Sequence, residues 1–486
     1  MRNSNLLFAL ALIPSIAVYA CSSSSSPSGA APADGGTPPV ADAGVDATDA
    51  APAPVPEPPW SGTTVEPGCT ANGCIHAFAH VGSYSKQLLT GYAAAGNTVL
   101  NGVVQWSITY VSSGAEITGS VFVPDTAAPN GGYGVVVMNQ FTSGLGAPCA
   151  PSVGELALGV ASAAALNGFV TIVPDATSYG KAPYGAYIEG EIGGRAALDA
   201  ARAAFHTTQA LGVSIARKAV IAGLSQGAYS TMAAATAYPY YANELEIRGF
   251  VAAEPPSNLR SGLNAALTEN PQYNHVYEAM RLYSWQGLRG LSGGQIFNPP
   301  YDQLAATWFA TSCIFNGTDG SDGALYNYFY EGGDDAGAPA NDAGGAADAG
   351  ADAASDAGSV TADAGSVSDD AGAPIPIPAS QLFTSTFIGY ATNDSWPADW
   401  TAEYNLSQTI PSYLTLPVTI FEGSADVTVL PAQVTLYVSQ LQAAGVKVTY
   451  DQIPGGTHGT TALSSFTVQQ AAGAQGVAAI TQLLAN

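Results

Sequence analysis

Positive charge is scarce in this sequence. Its 486 residues include only 12 Lys and Arg against 37 Asp and Glu, a formal net charge of −25. Binding to nucleic acid needs clustered basic side chains, and nothing here resembles such a footprint. Histidine and cysteine are few, five of each. No spacing among them resembles a zinc site, so neither a metal nor a cofactor is expected. Long apolar runs are lacking too. Leu6 to Val18 is broken by Pro14 and Ser15. It is too short for the roughly 20 residues of a bilayer span, and with Arg2 ahead of it the stretch reads as an export signal.

That signal ends in Ala17-Val18-Tyr19-Ala20-Cys21, with a serine run directly after it. Small residues before a cysteine resemble the lipobox of a bacterial lipoprotein. The resemblance implies cleavage before Cys21 and acylation of its thiol and new amine. Residues 1–21 are then signal peptide and lipobox, and the chain contacts a membrane through its N-terminal anchor. Ser22 resembles the outer-membrane sorting type, which places the chain at the outer membrane or cell surface. An ordinary signal peptide with an incidental Cys21 is the competing reading.

Composition divides the chain beyond Cys21. Residues 22–66 consist mainly of Ala, Pro, Asp, Gly, Ser and Thr, and residues 331–375 repeat Asp-Ala-Gly with variations. Neither can bury enough apolar surface to offset its ordering entropy, so both are expected to be disordered. They hold 6 and 10 acidic residues and no Lys or Arg; the remaining 21 acidic and 12 basic residues leave a net charge near −9. The acidity therefore belongs mainly to solvated tethers. The rest is long enough for one large domain with a well-buried core.

If Cys21 is acylated, Cys69, Cys74, Cys149 and Cys313 remain. An even number in an exported chain suggests two disulfides. Cys69 and Cys74 are close enough to close a small loop, which leaves Cys149 with Cys313. Four free buried thiols are the alternative.

Strand and helix patterns alternate through the ordered part. Leu100–Val111 and Glu116–Pro124 read as a β-rich start joined by a turn at Ser112-Ser113-Gly114. Gly134–Phe141, Phe169–Asp175, Lys218–Leu224, Ile247–Glu254, Pro417–Gly423 and Lys447–Ile453 read as buried strands. Helices are expected at Tyr187–Leu211, from Gln226, at Leu430–Ala444 and at the end of the chain. Such alternation predicts an α/β fold, a mostly parallel sheet with helices on both faces. Residues 67–256 and 413–486 form its two parts. The segment 257–412 interrupts the sheet and reads as an inserted helical cap, with helical stretches at Tyr277–Leu291 and Ala324–Tyr330.

Gly223-Leu224-Ser225-Gln226-Gly227 comes after an apolar strand and precedes a small-residue helix. This is the setting of a nucleophile elbow, in which a serine on a strained turn presents its oxygen above the sheet. The flanking glycines let strand and helix backbones approach closely. A serine nucleophile needs a base and an orienting acid, in the chain order Ser, Asp or Glu, His for this elbow. Only His275 and His458 lie after Ser225. His458 lies in a glycine-rich loop after the last strand, whereas His275 falls within the cap. Asp426 lies just past the strand Pro417–Gly423. Glu422 and Asp451 lie inside strands, where a carboxylate aims poorly at the loop.

With those residues in place, the chain resembles the secretory lipase family related to lipase A of Candida antarctica. Cys149-Ala150-Pro151-Ser152 matches that family's Cys-Ala-Pro-Ser. Pro174-Asp175, Tyr179-Gly180 and Pro183-Tyr184 resemble its Pro-Asp-Tyr-x-Gly-x-Gly and Pro-Tyr. Leu198-Asp199-Ala200-Ala201-Arg202-Ala203 and Val251-Ala252-Ala253-Glu254-Pro255-Pro256 match two further segments. The resemblance implies an α/β-hydrolase fold, lipase or carboxylesterase activity on an ester or lipid substrate, a helical lid, and a disulfide from Cys149 into that lid. It departs at Gln140-Phe141-Thr142, where many relatives carry His-Gly-Thr. The loop's oxyanion contribution then falls on Thr142, with the backbone N–H of Gln226 as second donor. An exported serine peptidase of the same fold and a non-catalytic surface protein on a hydrolase scaffold are the alternative functions. The sequence does not determine an oligomeric state.

Overall fold

A computed structural model describes residues 65, 68–92, 99–153, 167–175, 185–268, 274–314, 325, 328–331, 375–458 and 473–485. The leader with Cys21, nearly all of the 22–66 tether and the Asp-Ala-Gly repeat lie outside them.

Nine strands form one sheet. They are β1 (Ile75–Tyr84), β2 (Val103–Ser112), β3 (Ala115–Pro124), β4 (Tyr133–Asn139), β5 (Val170–Pro174), β6 (Ile215–Leu224), β7 (Glu246–Ala253), β8 (Val418–Gly423) and β9 (Val448–Ile453), in the spatial order β1-β2-β3-β5-β4-β6-β7-β8-β9. β1 to β3 and the β3–β5 pair are antiparallel; every pair from β5 to β9 is parallel. The run Val135-Val136-Val137-Met138 in β4 is wholly buried, as expected of a strand covered on both faces. Ser113 (φ 49°) and Gly114 (φ 78°) are the two central residues of the β2–β3 hairpin. Positive φ at both positions suits the twist of a two-residue turn.

β1 was not read from the sequence. It is an edge strand with one partner and mostly exposed side chains, so it lacks the apolar alternation that marks a strand.

One face is covered by the helices Gly190–Ala210, Gln226–Tyr241 and Pro431–Ala443, the other by Lys86–Tyr92 and Gly473–Ala485. Small residues let the first two helices pack closely. A Cβ added at Gly194 would lie 2.6 Å from the backbone carbon of Ala233. The matched motif Asp199-x-x-Arg202 is a buried ion-pair cluster here. Arg202 pairs with Asp199 and Glu244, and Asp199 also accepts from Ser112 and Tyr241. It fastens the helix to the β2–β3 hairpin.

Between β7 and β8 the chain runs through the helices Leu259–Thr268, Asn274–Arg289, Tyr301–Thr311, Ala379–Leu382, Ser385–Asn393 and Ala398–Leu406. These share a second hydrophobic core around Trp285, Phe309, Phe383 and Trp400, which Leu145, Tyr187 and Tyr229 join to the sheet layer. Of the stretch expected to be helical at Ala324–Tyr330, Leu325 is helical, residues 324, 326 and 327 lie outside the described residues, and the end departs from the expectation: Tyr330 and Glu331 pair antiparallel with Pro376 and Ile375. The repeat-bearing segment thus leaves and re-enters at one place. No helix among the described residues is long and apolar enough to cross a membrane.

Candidate active site

β6 delivers Ser225 to a sharp turn at φ 51°, ψ −115°, directly before the helix Gln226–Tyr241. Such a backbone is strained for a non-glycine residue and persists only where its surroundings enforce it. The enforcement is visible. The Ser225 N–H donates to Ala253 O at 2.8 Å, and Ser225 O accepts from Tyr229 N–H at 2.9 Å. A Cβ at Gly227 would lie 2.2 Å from Asn139 O, and one at Gly223 would lie 2.4 Å from the Gly227 backbone. Both glycines are required by contact.

The structure brings Ser225, His458 and Asp426 together. Ser225 Oγ lies 3.0 Å from His458 Nε2, and His458 Nδ1 lies 2.8 Å from Asp426 Oδ2. A carboxylate only accepts, so Nδ1 carries the proton and Nε2 is free to accept the serine proton. Asp426 is 3 % exposed. Its other oxygen accepts from the N–H groups of Thr428 at 2.7 Å and Val429 at 2.9 Å. Backbone bonds hold the acid and histidine loops in register: Ser424 N–H to Ile453 O and Ala425 N–H to Gly456 O. The 32 residues between acid and base are therefore bridged by the parallel pairing of β8 with β9.

The other histidines lie elsewhere. His275 is buried with its ring nitrogens 3.0 Å from Ile377 O and 2.9 Å from Ala266 O, and burial lowers its pKa. It ties two parts of the helical insertion together. His76 contacts Glu116 on β3, His80 contacts Ser83 on β1, and burial lowers the pKa of His206 to about 3.

Two further carboxylates stand beside this group. Glu254, just past β7, is fully buried with Oε2 3.1 Å from His458 Nδ1. Sequence reasoning missed it; an acid ending an apolar strand was the available signal. Glu422, at the end of β8, is also fully buried. Burial first, and the charge of Asp426 second, push its pKa up to about 9. Glu254, Asp426 and His458 are the one group among the described residues with metal-compatible spacing. A metal there would displace the His458–Asp426 hydrogen bond.

A small cavity of about 70 Å³ opens onto Ser225. Thr142, Tyr187, Tyr277, Glu278 and Arg281 line it, so helices of the insertion form part of its wall. Thr142 and Gln226 are both buried beside the serine, with Thr142 Oγ1 3.0 Å from Tyr187 Oη. The Cys149–Cys313 disulfide joins the Ala147–Cys149 turn to the chain just beyond the helix Tyr301–Thr311. Ile314 N–H donates to Ser143 O at 2.9 Å beside it. Cys69 and Cys74 form the second disulfide. Ser152 and Asp175, from two of the matched motifs, meet at this turn. Asp175 accepts from the Ser152 N–H at 2.9 Å and from its hydroxyl at 2.5 Å.

The secretory lipase family model matches residues 155–269, which include the elbow. The chain has the α/β-hydrolase fold, and this segment of it is similar to secretory lipases. Solved structures agree on the fold. The rice cell wall degrading esterase LipA from Xanthomonas oryzae aligns with TM-score 0.60 and 16 % identity over 85 % of this chain and 97 % of its own. Candida antarctica lipase A in its closed state aligns at 0.54 and 14 %, over 84 % and 83 %. A Legionella pneumophila protein aligns at 0.65 and 15 %, over 84 % and 98 %. No curated protein matches the chain. The segment match and the fold are each similar to those of lipases and esterases, and the two disulfides suit an exported protein.

Proposed function

We propose that the protein hydrolyses carboxylic esters through an acyl-enzyme on Ser225, with His458 as base and Asp426 as orienting acid. The observation that carries this reading is the hydrogen-bond chain Ser225–His458–Asp426, built on a strained elbow that opens into a cavity. His458 takes the serine proton as Oγ attacks the ester carbonyl. Asp426 holds the imidazole tautomer and stabilises the cation that forms. The backbone N–H groups of Thr142 and Gln226 receive the oxyanion. His458 then returns the proton to the departing alcohol, and water releases the acid by the reverse path.

The helical insertion 257–412 serves in this reading as a cap tethered by Cys149–Cys313, and the chain sits at the outer membrane or cell surface through acylated Cys21. The core is divided as 67–256 and 413–486. The test is labelling with a fluorophosphonate, with the adduct mapped by mass spectrometry, alongside zymograms on tributyrin and chromogenic peptides. Labelling of Ser225 with clearing of tributyrin is expected. Peptide cleavage without ester cleavage would favour a peptidase, and no labelling a non-catalytic scaffold.

A further inference from the structure

A serine–histidine pair needs one acid on the histidine's Nδ1, and this site presents two. Asp426 Oδ2 is 2.8 Å from His458 Nδ1, and Glu254 Oε2 is 3.1 Å from the same atom. They arrive on different strands, Glu254 from the end of β7 and Asp426 from the loop after β8. Glu254 is firmly placed. Its side chain is fully buried, its N–H donates to Phe421 O at 2.8 Å, and its φ of 56° is a left-handed conformation that glutamate rarely adopts. That turn carries the carboxylate out of the strand and toward the imidazole, where a continued strand would not.

We propose that Glu254 is a second orienting acid, a positioning residue that stands 3.1 Å from the His458 nitrogen hydrogen-bonded to Asp426 and can hold the imidazole tautomer without it. The proposal rests on the reading of Ser225 and His458 as nucleophile and base. Asp426 divides its acceptor capacity, giving one oxygen to the Thr428 and Val429 amides and the other to His458. In Asp426→Asn, an amide NH2 can face Nδ1–H and favour the wrong tautomer, which costs about 10⁴-fold where that acid acts alone. Here Glu254 still accepts from Nδ1–H and keeps Nε2 available to the serine. The charged groups around the ring are Asp426 and Glu254 on Nδ1, with Glu422 behind Asp426.

The experiment is a double-mutant cycle on the full chain with a soluble p-nitrophenyl ester, reading kcat, KM and the pH profile. Asp426→Asn is expected to lower kcat by only about 10- to 100-fold, and Asp426→Asn with Glu254→Gln by about 10⁴-fold. Glu254→Gln alone is expected to leave KM unchanged. It should move the acid limb of kcat/KM to lower pH by about one unit, since a negative charge leaves the imidazole. If Glu254→Gln does not fold, Glu254→Asp, which keeps the charge but withdraws the oxygens, must show the same heightened sensitivity to Asp426→Asn. A 10⁴-fold loss from Asp426→Asn alone with Glu254→Gln silent would overturn the proposal. So would activity lost to a chelator and restored by zinc, which would make the cluster a metal site. Ser225→Ala retaining activity would instead break the underlying reading of the nucleophile.

Discussion

Glu422 should make the protein less stable as pH rises through neutrality. Its carboxyl is fully buried at the end of β8, neither oxygen has a hydrogen-bond partner among the described residues, and Asp426 lies nearby. Its pKa is raised from 4.5 to about 9. The folded state therefore retains a proton that the unfolded chain releases above about pH 4.5. The contribution of this group is fully present below that pH and is lost progressively as pH climbs to about 9. A shift of one unit corresponds to about 1.4 kcal/mol, so the loss across the window is on the order of 6 kcal/mol. Glu422→Gln mimics the protonated acid at every pH. It should be near neutral at about pH 4.5 and stabilising by several kcal/mol at about pH 8.5. Urea unfolding of both proteins at about pH 4.5, 6.5 and 8.5, monitored by near-ultraviolet circular dichroism, gives the comparison. Parallel stability curves for the two would show that Glu422 does not hold its proton, and that the β8 end is more polar than its contacts imply.

The same geometry sets other outcomes. Ser225→Ala and His458→Ala should each lower ester turnover by several orders of magnitude, and the double variant little further, because members of such a unit act together; steady-state rates check this. Cys149→Ser with Cys313→Ser should cost about 2–4 kcal/mol, the usual range for a long closed loop, measured by chemical unfolding with and without reductant. Deleting residues 334–372 should change stability by less than about 0.5 kcal/mol, since the segment's ends already meet at the Glu331–Ile375 pair; a loss above about 2 kcal/mol would show an ordered role. Cys21→Ser should release the protein from membranes or block its maturation, which fractionation and intact mass would reveal.

Much of the site could be read along the chain because its signals are local. The elbow needs small residues at fixed offsets from the serine, and Gly223 and Gly227 sit where any side chain would collide with backbone. His458 was recognisable as the histidine in a loop after the last strand. Glu254 offered only the weak signal of an acid ending an apolar strand, which does not say that its carboxylate meets an imidazole some two hundred residues later. β1 was missed for the opposite reason: an exposed edge carries no pattern for burial to impose. At Tyr330 the expected helix gives way to a short ladder with Pro376, because the contact partner lies beyond the repeat.

By itself the sequence determined the strand–helix alternation, the chain order Ser225, Asp426, His458, and the segregation of acidic low-complexity stretches from apolar ones. Each depends on residue type and spacing within some ten to thirty positions. Only the tertiary structure decided which carboxylates lie near the histidine and which one is buried without a hydrogen-bond partner among the described residues. That outcome depends on the parallel register of β7, β8 and β9, which places three acids from two distant segments at the C-terminal ends of β7 and β8. There, burial and the charge of Asp426 raise the pKa of Glu422.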